Sequence, residues 1–280
     1  MKKSINYWSF EGGLQGAKPL AQAFAEAREK GFEAVEVCLG EAGDLTQETT
    51  EKECEAIRRE AETCGVEIAS VATGLYWNYS LTDDRDLVRE KARIITRSLL
   101  ERAAWLGTDA VLVVPGAVDV FFKPDAAAVA YEVVWERSLE ALEQLAPYAE
   151  EVGVAIGVEN VWNKFLLSPL EMRSFVDEIK SDYVGVYFDV GNVLLFGYPE
   201  QWIRILGERI KRVHIKDFKR SAGTAKGFCD LLEGDVNWSE VMKALKEIGY
   251  DGYITAEMMP WRPDLLDVTS KAMDKILGRS

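Results

Sequence analysis

This chain has very little histidine, and none of its cysteines are spaced for metal binding or for a disulfide framework. His214 is the only histidine in 280 residues. The four cysteines contain no C-x-x-C pair, and they are Cys38, Cys54, Cys64 and Cys229. Their spacing fits neither a zinc knuckle nor a disulfide framework. We therefore expect packing cysteines in a reduced, cytoplasmic protein.

Positive charge and long apolar runs are also scarce. Lysine and arginine number 33 against 47 aspartates and glutamates, so the formal net charge is −14. Binding to nucleic acid depends largely on basic side chains at phosphates, and we expect no such partner. We expect no membrane partner either, because no apolar run approaches the ~20 residues of a membrane helix. Residues 1–10 carry two lysines but lack the apolar stretch of a signal peptide.

Short apolar runs alternate with helical patterns along the whole chain. The apolar runs are 4–10, 34–39, 67–73, 110–114, 154–159, 184–189, 212–216 and 252–257. The helical patterns are 19–30, 48–63, 84–106, 125–151, 168–179, 199–207, 237–248 and 264–277. Continuous apolar runs are typical of parallel strands buried on both faces.

Eight such units predict an α/β fold of the (β/α)₈ TIM-barrel type, with one domain over residues 1–280. A doubly wound open sheet is the alternative. It has no support, because neither G-x-G-x-x-G nor a Walker lysine follows the first strand. The long helical pattern at 84–106 predicts one buried face made of Leu87, Ile94, Ile95, Leu99 and Leu106.

Four side chains that bind metals lie at or near the ends of the last four strand-like runs. They are Glu159, Asp189, His214 and Glu257. Three carboxylates and one neutral imidazole suit a hard or borderline divalent ion. Catalytic side chains of TIM barrels come from the carboxyl ends of strands, so this pattern predicts a metal-containing active site at the barrel mouth.

For several other residues, the sequence alone allows two interpretations of their role. Trp8, Tyr76, Trp77 and Trp162 follow strands and either line a sugar pocket or pack in the core. Loop 223–234 is either a lid or a fixed connection. Glu36 and Glu67 lie inside strand runs, and we interpret both as structural ion-pair partners.

A basic cluster follows the seventh strand in an otherwise acidic protein. It consists of Lys216, Lys219, Arg220 and Lys226. Loops after strands seven and eight of TIM barrels commonly bind phosphate. The cluster therefore favours a phosphorylated substrate, and a solvated loop is the alternative.

Five motifs, taken together and in order, resemble the sugar-phosphate isomerase/epimerase group of xylose-isomerase-like TIM barrels. They are V-E-N-V-W-N at 158–163, F-D-V-G-N at 188–192, V-H-I-K-D at 213–217, G-D-V-N-W at 234–238 and A-E at 256–257. The resemblance covers nearly the whole chain. Within the group the chain is most similar to ketose 3-epimerases, including those of L-ribulose and L-xylulose 5-phosphate.

This resemblance implies one divalent ion held by Glu159, Asp189, His214 and Glu257. Manganese is the usual ion, and magnesium, cobalt or zinc are alternatives. It also implies that Glu159 and Glu257 act as the acid/base pair. The DNA-repair endonucleases that share this barrel hold zinc through several histidines, which a chain with one histidine does not offer.

The substrate-binding positions depart from the D-tagatose and D-psicose 3-epimerases. The position of Asn192 is usually a histidine there, and the position of Phe165 is usually a glutamate, whereas the arginine at Arg220 is kept. We expect Asn192, Lys216, Arg220, Trp8 and Trp162 to contact substrate. The departures argue against a free ketohexose.

The sequence thus predicts a metal-dependent epimerase that inverts C3 of a ketose or ketose phosphate through an enediolate. We expect a small-molecule sugar or sugar phosphate as its partner, and a dimer or tetramer of identical chains. An aldose–ketose isomerase, a keto-cyclitol dehydratase or isomerase, and a keto-sugar glycoside lyase stay open as alternatives. A non-catalytic sugar- or metal-binding barrel is the remaining possibility.

Overall fold

Eight parallel strands close a barrel in the computed structural model, which describes residues 1–123 and 125–279. The strands are β1 (Lys2–Asn6), β2 (Ala34–Cys38), β3 (Glu67–Ala72), β4 (Ala110–Val113), β5 (Ala155–Glu159), β6 (Val184–Asp189), β7 (Ile210–Ile215) and β8 (Tyr253–Ala256). Each strand pairs with the next along the chain, and β8 pairs with β1 to complete the ring. The predicted (β/α)₈ barrel is confirmed.

A helix follows each strand and packs outside the barrel. The helices are α1 (Leu20–Glu29), α2 (Glu51–Cys64), α3 (Asp86–Leu106), α4 (Tyr131–Val152), α5 (Pro169–Ile179), α6 (Pro199–Leu206), α7 (Trp238–Glu247) and α8 (Leu265–Leu277). The predicted end of the helical pattern at 106 is confirmed, because α3 ends at Leu106 and Gly107 after it has the positive φ of 76° that suits a helix end. Among the described residues, no helix combines the length and apolarity needed to cross a membrane.

The first predicted strand, 4–10, is too long because the chain turns at Asn6. The Asn6 side-chain oxygen accepts a hydrogen bond of 2.7 Å from the backbone N–H of Trp8. That bond begins a 3₁₀ turn at Tyr7–Ser9. Asparagine commonly closes such local turns, and here its capping overrides the apolar pattern that continues to Phe10.

The predicted helix 125–151 also begins too early. In the structure α4 starts at Tyr131, and residues 125–130 belong to the loop that follows β4. Tertiary hydrogen bonds hold this loop, because Val118 donates its N–H to the Asn163 carbonyl at 3.0 Å and Val129 donates to Val118 at 3.0 Å. This loop reaches the mouth of the barrel, where Phe121 and Phe122 line a cavity.

The predicted buried face of α3 is only partly right. Ile95 and Leu99 are fully buried and Leu106 is almost so, but Leu87 is 86% exposed and Ile94 is 45% exposed. At 3.6 residues per turn, Ile94 lies about 100° around the helix from Ile95. The buried stripe is therefore narrower than the run of apolar residues.

A small side chain inside the barrel makes room for the base of the site. Gly157 lies on β5, two residues before Glu159, and an added Cβ there would be 3.0 Å from the Cβ of Tyr187. Tyr187 on β6 is fully buried and fills that space. Gly157 therefore leaves the space that the Tyr187 side chain occupies.

Loop 223–234 is a fixed connection in this structure. Residues Asp217–Phe218 pair with Phe228–Cys229 in a two-stranded antiparallel sheet. The Asp217 carboxylate also accepts hydrogen bonds from the N–H groups of Leu232 at 3.0 Å and Val236 at 3.2 Å, and from Trp238 Nε1 at 3.0 Å. Of the two readings of this loop, the structure supports the fixed connection.

Candidate metal centre and active site

The four predicted metal ligands converge at the carboxyl end of the barrel. Glu159 and Asp189 are the last residues of β5 and β6, His214 is the penultimate residue of β7, and Glu257 directly follows β8. Asp189 and His214 are paired in register across β6 and β7, so their side chains point the same way into the barrel. All four are buried, with at most 8% exposure.

The spacing of the four side chains suits a single central ion. One donor atom from each residue lies within 4.8 Å of the other three. His214 Nδ1 is 3.6 Å from Glu159 Oε1, 3.7 Å from Glu257 Oε2 and 4.0 Å from Asp189 Oδ2. Those separations are too long for hydrogen bonds. They fit atoms that each bind a shared ion at ~2.0–2.2 Å.

Two buried atoms of the cluster have no hydrogen-bond partner among the described residues. They are His214 Nδ1 and Asp189 Oδ2. Leaving such atoms unsatisfied is costly, and native proteins rarely do so without a ligand, water or functional reason. Both atoms face the centre of the cluster, so the donor set fits a divalent cation.

Glu36 orients the histidine, a role that its position in the sequence did not indicate. His214 Nε2 is 2.6 Å from Glu36 Oε1, which leaves Nδ1 free for an ion. Glu36 is fully buried and also accepts hydrogen bonds from Tyr187, from Ser70 at 2.7 Å and from Asn6 at 2.5 Å. A carboxylate behind a metal-binding histidine commonly sets its tautomer and ring orientation.

The interpretation of Glu36 and Glu67 as structural ion-pair partners is confirmed, and the partner of Glu36 is His214, whose Nε2 lies 2.6 Å from Glu36 Oε1. Glu67 pairs with Lys2 at 2.6 Å on the barrel surface. Side chains alternate along a strand, so Glu36 shares the face of β2 that Ala34 and Cys38 turn into the barrel. The sequence signal for the role of Glu36 was therefore an acidic residue inside a barrel strand, in a chain with a single histidine.

Lys216 brings a positive charge into the cluster. Its ammonium group donates a hydrogen bond to Glu257 and lies 3.1 Å from Asp189 Oδ2. It also lies 5.5 Å from the ring centre of Phe228. The predicted substrate residue Lys216 therefore faces the site, but two carboxylates share its charge.

The two glutamates have opposite protonation tendencies. Burial raises the pKa of Glu159 to about 7, and Glu257 adds to this effect while His214 opposes it. Burial also acts on Glu257, but Lys216 and His214 outweigh it and hold the pKa of Glu257 below its usual value. Environments that separate two carboxyl pKa values are typical of acid and base partners.

His214 is biased toward the protonated form when no ion competes. Burial alone would lower the pKa of His214, but Glu36 and Glu159 outweigh it and raise the pKa well above its usual value. A metal ion needs the neutral imidazole and the ionised carboxylate, so it must displace protons from this site.

We expect the apparent affinity for Mn²⁺ to rise with pH. Below about pH 7, Glu159 carries a proton that the ion must displace, and His214 carries another. Each displaced proton corresponds to about a tenfold loss of affinity per pH unit on lowering the pH. Titration calorimetry from about pH 5.5 to about pH 8, in two buffers of different ionisation enthalpy, measures the affinity for Mn²⁺ and the number of protons released on binding. A flat affinity with no proton release would contradict this expectation.

A cavity of about 720 Å³ opens above the cluster. Glu159, Glu257, Asn192 and Lys216 lie in its wall. The predicted substrate residues Trp8 and Trp162 also line it, as does Trp77. Tyr76 does not, because it is buried and its hydroxyl pairs with Thr96 at 2.8 Å.

Asn192 braces the strand ends as well as lining the cavity. Its backbone N–H donates to Asp189 Oδ1 at 2.8 Å, and its side-chain amide donates to the Asn160 carbonyl at 3.0 Å. Asn160 in turn receives the Asp189 N–H at 2.9 Å. These bonds hold the ends of β5 and β6 together and orient the Asp189 carboxylate.

The predicted basic cluster is not gathered around the cavity. Arg220 is exposed, donates to the Leu194 carbonyl at 3.0 Å and stacks 4.9 Å from the ring centre of Tyr198. Neither Arg220 nor Lys219 nor Lys226 belongs to the cavity wall, and only Lys216 does. Arg220 therefore lies outside this cavity wall, and its contact with substrate stays a prediction.

Comparisons with known proteins agree with this fold. The sequence profile of the family described as xylose isomerase-like TIM barrel matches residues 24–275. The putative L-ribulose-5-phosphate 3-epimerase SgbU of Escherichia coli is 26% identical over 258 residues, which cover 90% of this chain and 84% of the relative. An inosose dehydratase of Lacticaseibacillus casei is 28% identical over 138 residues, 44% of this chain and 46% of the relative.

Solved structures show the same architecture. D-psicose 3-epimerase from Clostridium cellulolyticum H10, crystallised with D-tagatose, matches with a TM-score of 0.80 at 19% identity, covering 99% of both chains. At that identity the likeness concerns the fold. The chain spans 59% and 46% of the lengths of the first two curated relatives that it matches.

Proposed function

The chain belongs to the xylose isomerase-like TIM barrel family, and from that membership and its site we propose that it is a divalent-metal-dependent ketose 3-epimerase. One observation carries the proposal. Glu159 and Glu257 face the same ion-sized cluster and the same cavity from β5 and from the end of β8. Those strands are three positions apart around an eight-strand ring, so the two carboxylates approach a substrate from different sides.

Inversion of a carbon next to a carbonyl needs a base on one face and an acid on the other. We assign Glu257, whose pKa is lowered, as the base for one epimer, and Glu159, whose pKa is raised to about 7, as the acid. The roles exchange for the reverse reaction. Loss of the C3 proton gives an enediolate, and return of a proton to the opposite face completes the inversion.

Asp189, His214 and the two glutamates would hold the ion, with manganese proposed as its identity. When bound, the ion supplies positive charge that stabilises the enediolate. Glu36 keeps His214 in the tautomer that offers Nδ1. The aromatic side chains of Trp8 and Trp162 exclude water and offer flat surfaces to the sugar C–H groups.

We propose an unphosphorylated ketose, which reverses the preference drawn from the sequence. The two basic residues in the cavity wall are both paired with carboxylates. Lys216 pairs with Glu257, and Arg262 pairs with Asp230 at 2.5 Å. A phosphate would have to break such a pair. Arg220 lies outside the wall and stacks on Tyr198.

The test is hydrogen exchange in D₂O with the manganese-loaded protein. We expect the C3 proton of a free ketopentose or ketohexose to exchange, with the epimer appearing at a comparable rate. Matched ketose 5-phosphates should have the lower kcat/KM. Absence of exchange on every ketose and ketose phosphate would reject the epimerase, and a clear preference for the phosphates would restore the phosphorylated substrate.

Dehydration of a keto-cyclitol is the second candidate. A relative named inosose dehydratase supports it, and so does Lys216, whose ammonium group lies beside Asp189 and Glu257 in the cavity. A dehydratase must also protonate a departing hydroxyl group. Formation of an unsaturated product from inosose, with no exchange on ketoses, would favour this candidate.

Three further expectations stay predictions. They are manganese as the natural ion, a cytoplasmic location, and a dimer or tetramer of identical chains.

A further inference from the structure

Two loops that often bind phosphate in this fold meet at one side of the cavity. The loop after β7 supplies Asp230 to the cavity wall, and the loop after β8 supplies Arg262. Loops after strands seven and eight of TIM barrels frequently form a phosphate site. Arginine suits such a site because its planar guanidinium group matches two phosphate oxygens at once. The chain therefore has a cation of the right type in the right pair of loops.

The Asp230 carboxylate already occupies this guanidinium group. Arg262 donates from Nη1 to Asp230 Oδ1 at 2.9 Å and from Nη2 to Asp230 Oδ2 at 2.5 Å. Two parallel hydrogen bonds of this kind are the arrangement that arginine makes with a carboxylate or with a phosphate. Asp264 accepts the Nε–H of Arg262 at 2.8 Å. Asp230 thus takes two donors of Arg262 in the way that a phosphate group would.

The loop that carries Asp230 is fixed in place. Cys229, the residue before Asp230, pairs with Asp217 in the two-stranded sheet. The Asp217 carboxylate accepts the N–H of Leu232 on the other side of Asp230 at 3.0 Å. The Asp230 side chain is only 21% exposed, against 65% for Asp264. The pair of Asp230 and Arg262 is therefore part of the wall and not a contact between two mobile surface side chains.

The pair shares its cavity with the proposed acid/base residues. Residues 258–260, which join Glu257 to Arg262 along the chain, also line the cavity. Among the described residues of the wall, Lys216 and Arg262 carry the positive charges, and Lys216 pairs with Glu257. A net charge of −14 gives no general attraction for an anion. Binding of a phosphorylated sugar would therefore depend on Arg262.

We propose that Asp230 is a specificity-determining residue, which takes the place of a substrate phosphate on Arg262 and so excludes phosphorylated ketoses from the cavity. The inference rests on the proposed function and assigns its preference for a free ketose to one side chain. A phosphorylated ketose would have to displace Asp230 from Arg262 and leave an unpaired carboxylate beside its own phosphate. An uncharged ketose requires neither change. Removal of the Asp230 carboxylate should therefore turn this part of the wall into a phosphate site.

Ligand selectivity of an alanine variant tests this role. The probes are D-ribulose and D-ribulose 5-phosphate, and tryptophan fluorescence of the manganese-loaded protein reports binding because Trp8, Trp77 and Trp162 line the cavity. The measured quantity is the Kd of the ketose divided by the Kd of its phosphate. Asp230→Ala should raise this ratio at least about tenfold, because the freed arginine offers charge-assisted hydrogen bonds to the phosphate. Asp230→Asn keeps the size of the side chain and should raise the ratio in the same direction.

Asp264→Ala is the matched control. It changes the net charge by the same one unit and also removes a carboxylate from Arg262, but Asp264 does not line the cavity. The ratio should stay that of the wild type. Asp230→Ala combined with Arg262→Gln should lose the gain, because the guanidinium group is then absent. An unchanged ratio in both Asp230 variants would overturn the proposal. So would equal increases in Asp230→Ala and Asp264→Ala, because net charge alone would then account for them.

Hydrogen exchange in D₂O separates this result from failure of the proposed function. Exchange on free ketoses with an unaltered ratio in the Asp230 variants rejects the role of Asp230 and keeps the epimerase. A raised ratio in Asp230→Ala without exchange on any ketose keeps the role of Asp230 and rejects the epimerase. Tighter binding of the phosphate than of the ketose by the wild type rejects both the role of Asp230 and the free ketose as substrate.

Discussion

Glu159→Gln and Glu257→Gln are each expected to lower the rate of epimerisation by at least about 10²-fold, the typical contribution of a positioned acid or base. A glutamine keeps the size of the side chain and an oxygen that can bind an ion, but it cannot accept and return a proton at neutral pH. The rate is measured from the appearance of the second epimer by NMR, with the manganese content of each variant determined beside it.

Hydrogen exchange in the two variants distinguishes a mechanism with two bases from a mechanism with one base. In either variant, the remaining glutamate still removes the proton from one of the two epimers. That epimer should therefore exchange its proton with D₂O without inverting, whereas the other should do neither. Glu159→Gln keeps Glu257, and Glu257→Gln keeps Glu159. Each variant should therefore retain exchange on one epimer, and the epimer should differ between the two variants.

Glu67→Gln is the matched control for these substitutions. Glu67 is half-exposed and pairs with Lys2 far from the cavity, so its loss should leave the rate unchanged. An exposed pair of this kind contributes little to stability. If Glu159→Gln or Glu257→Gln turned over like the wild type with full manganese content, the assignment of the acid/base pair would be wrong.

Loss of the metal is the second large effect. Exhaustive chelation should abolish epimerisation, and added Mn²⁺ should restore it. His214→Ala and Asp189→Ala should retain little manganese after dialysis, because each removes one of four ligands from a closed set. Glu36→Gln keeps all four ligands but loses the carboxylate behind His214, and should weaken manganese binding by about 10–100-fold.

Thermal unfolding gives a readout that does not depend on activity. An ion that binds only the folded protein stabilises it by about 2.7 kcal/mol at one hundred times its Kd. Added Mn²⁺ should therefore raise the Tm of the wild type and of Glu67→Gln. It should raise the Tm of Glu36→Gln less, and that of His214→Ala hardly at all. Full activity of protein shown by elemental analysis to be free of metal would contradict a metal-dependent reaction.

The barrel and the clustering of the four candidate ligands were predictable because they depend on local patterns. Continuous apolar runs separated by helices specify parallel strands buried on both faces. A polar ligand at the end of such a run must lie at the carboxyl edge of the barrel, whatever the details of packing. In the structure, one donor atom from each of Glu159, Asp189, His214 and Glu257 lies within 4.8 Å of the other three.

Element ends were less predictable where a side chain or a distant segment competes with the apolar pattern. The side chain of Asn6 ends β1 four residues before the predicted end. The predicted start of α4 is wrong because tertiary hydrogen bonds hold the loop before it: Val129 donates to Val118, and Val118 donates to Asn163, which is distant in sequence. Hydrogen bonds of this kind leave no trace in the periodic pattern of apolar residues, so that pattern cannot predict where they end a helix or strand.

The sequence by itself determined the fold and the candidate metal ligands, because these follow from which residue types stand at the ends of which strands, and the resemblance to ketose 3-epimerases supplied the acid/base candidates. Only the tertiary structure decided what each side chain faces. It placed Glu36 behind His214, paired Lys216 with Glu257 and placed Arg220 over the ring of Tyr198. Those contacts join residues distant in sequence, and they arise only when the closed ring of strands fixes the distances between its loops.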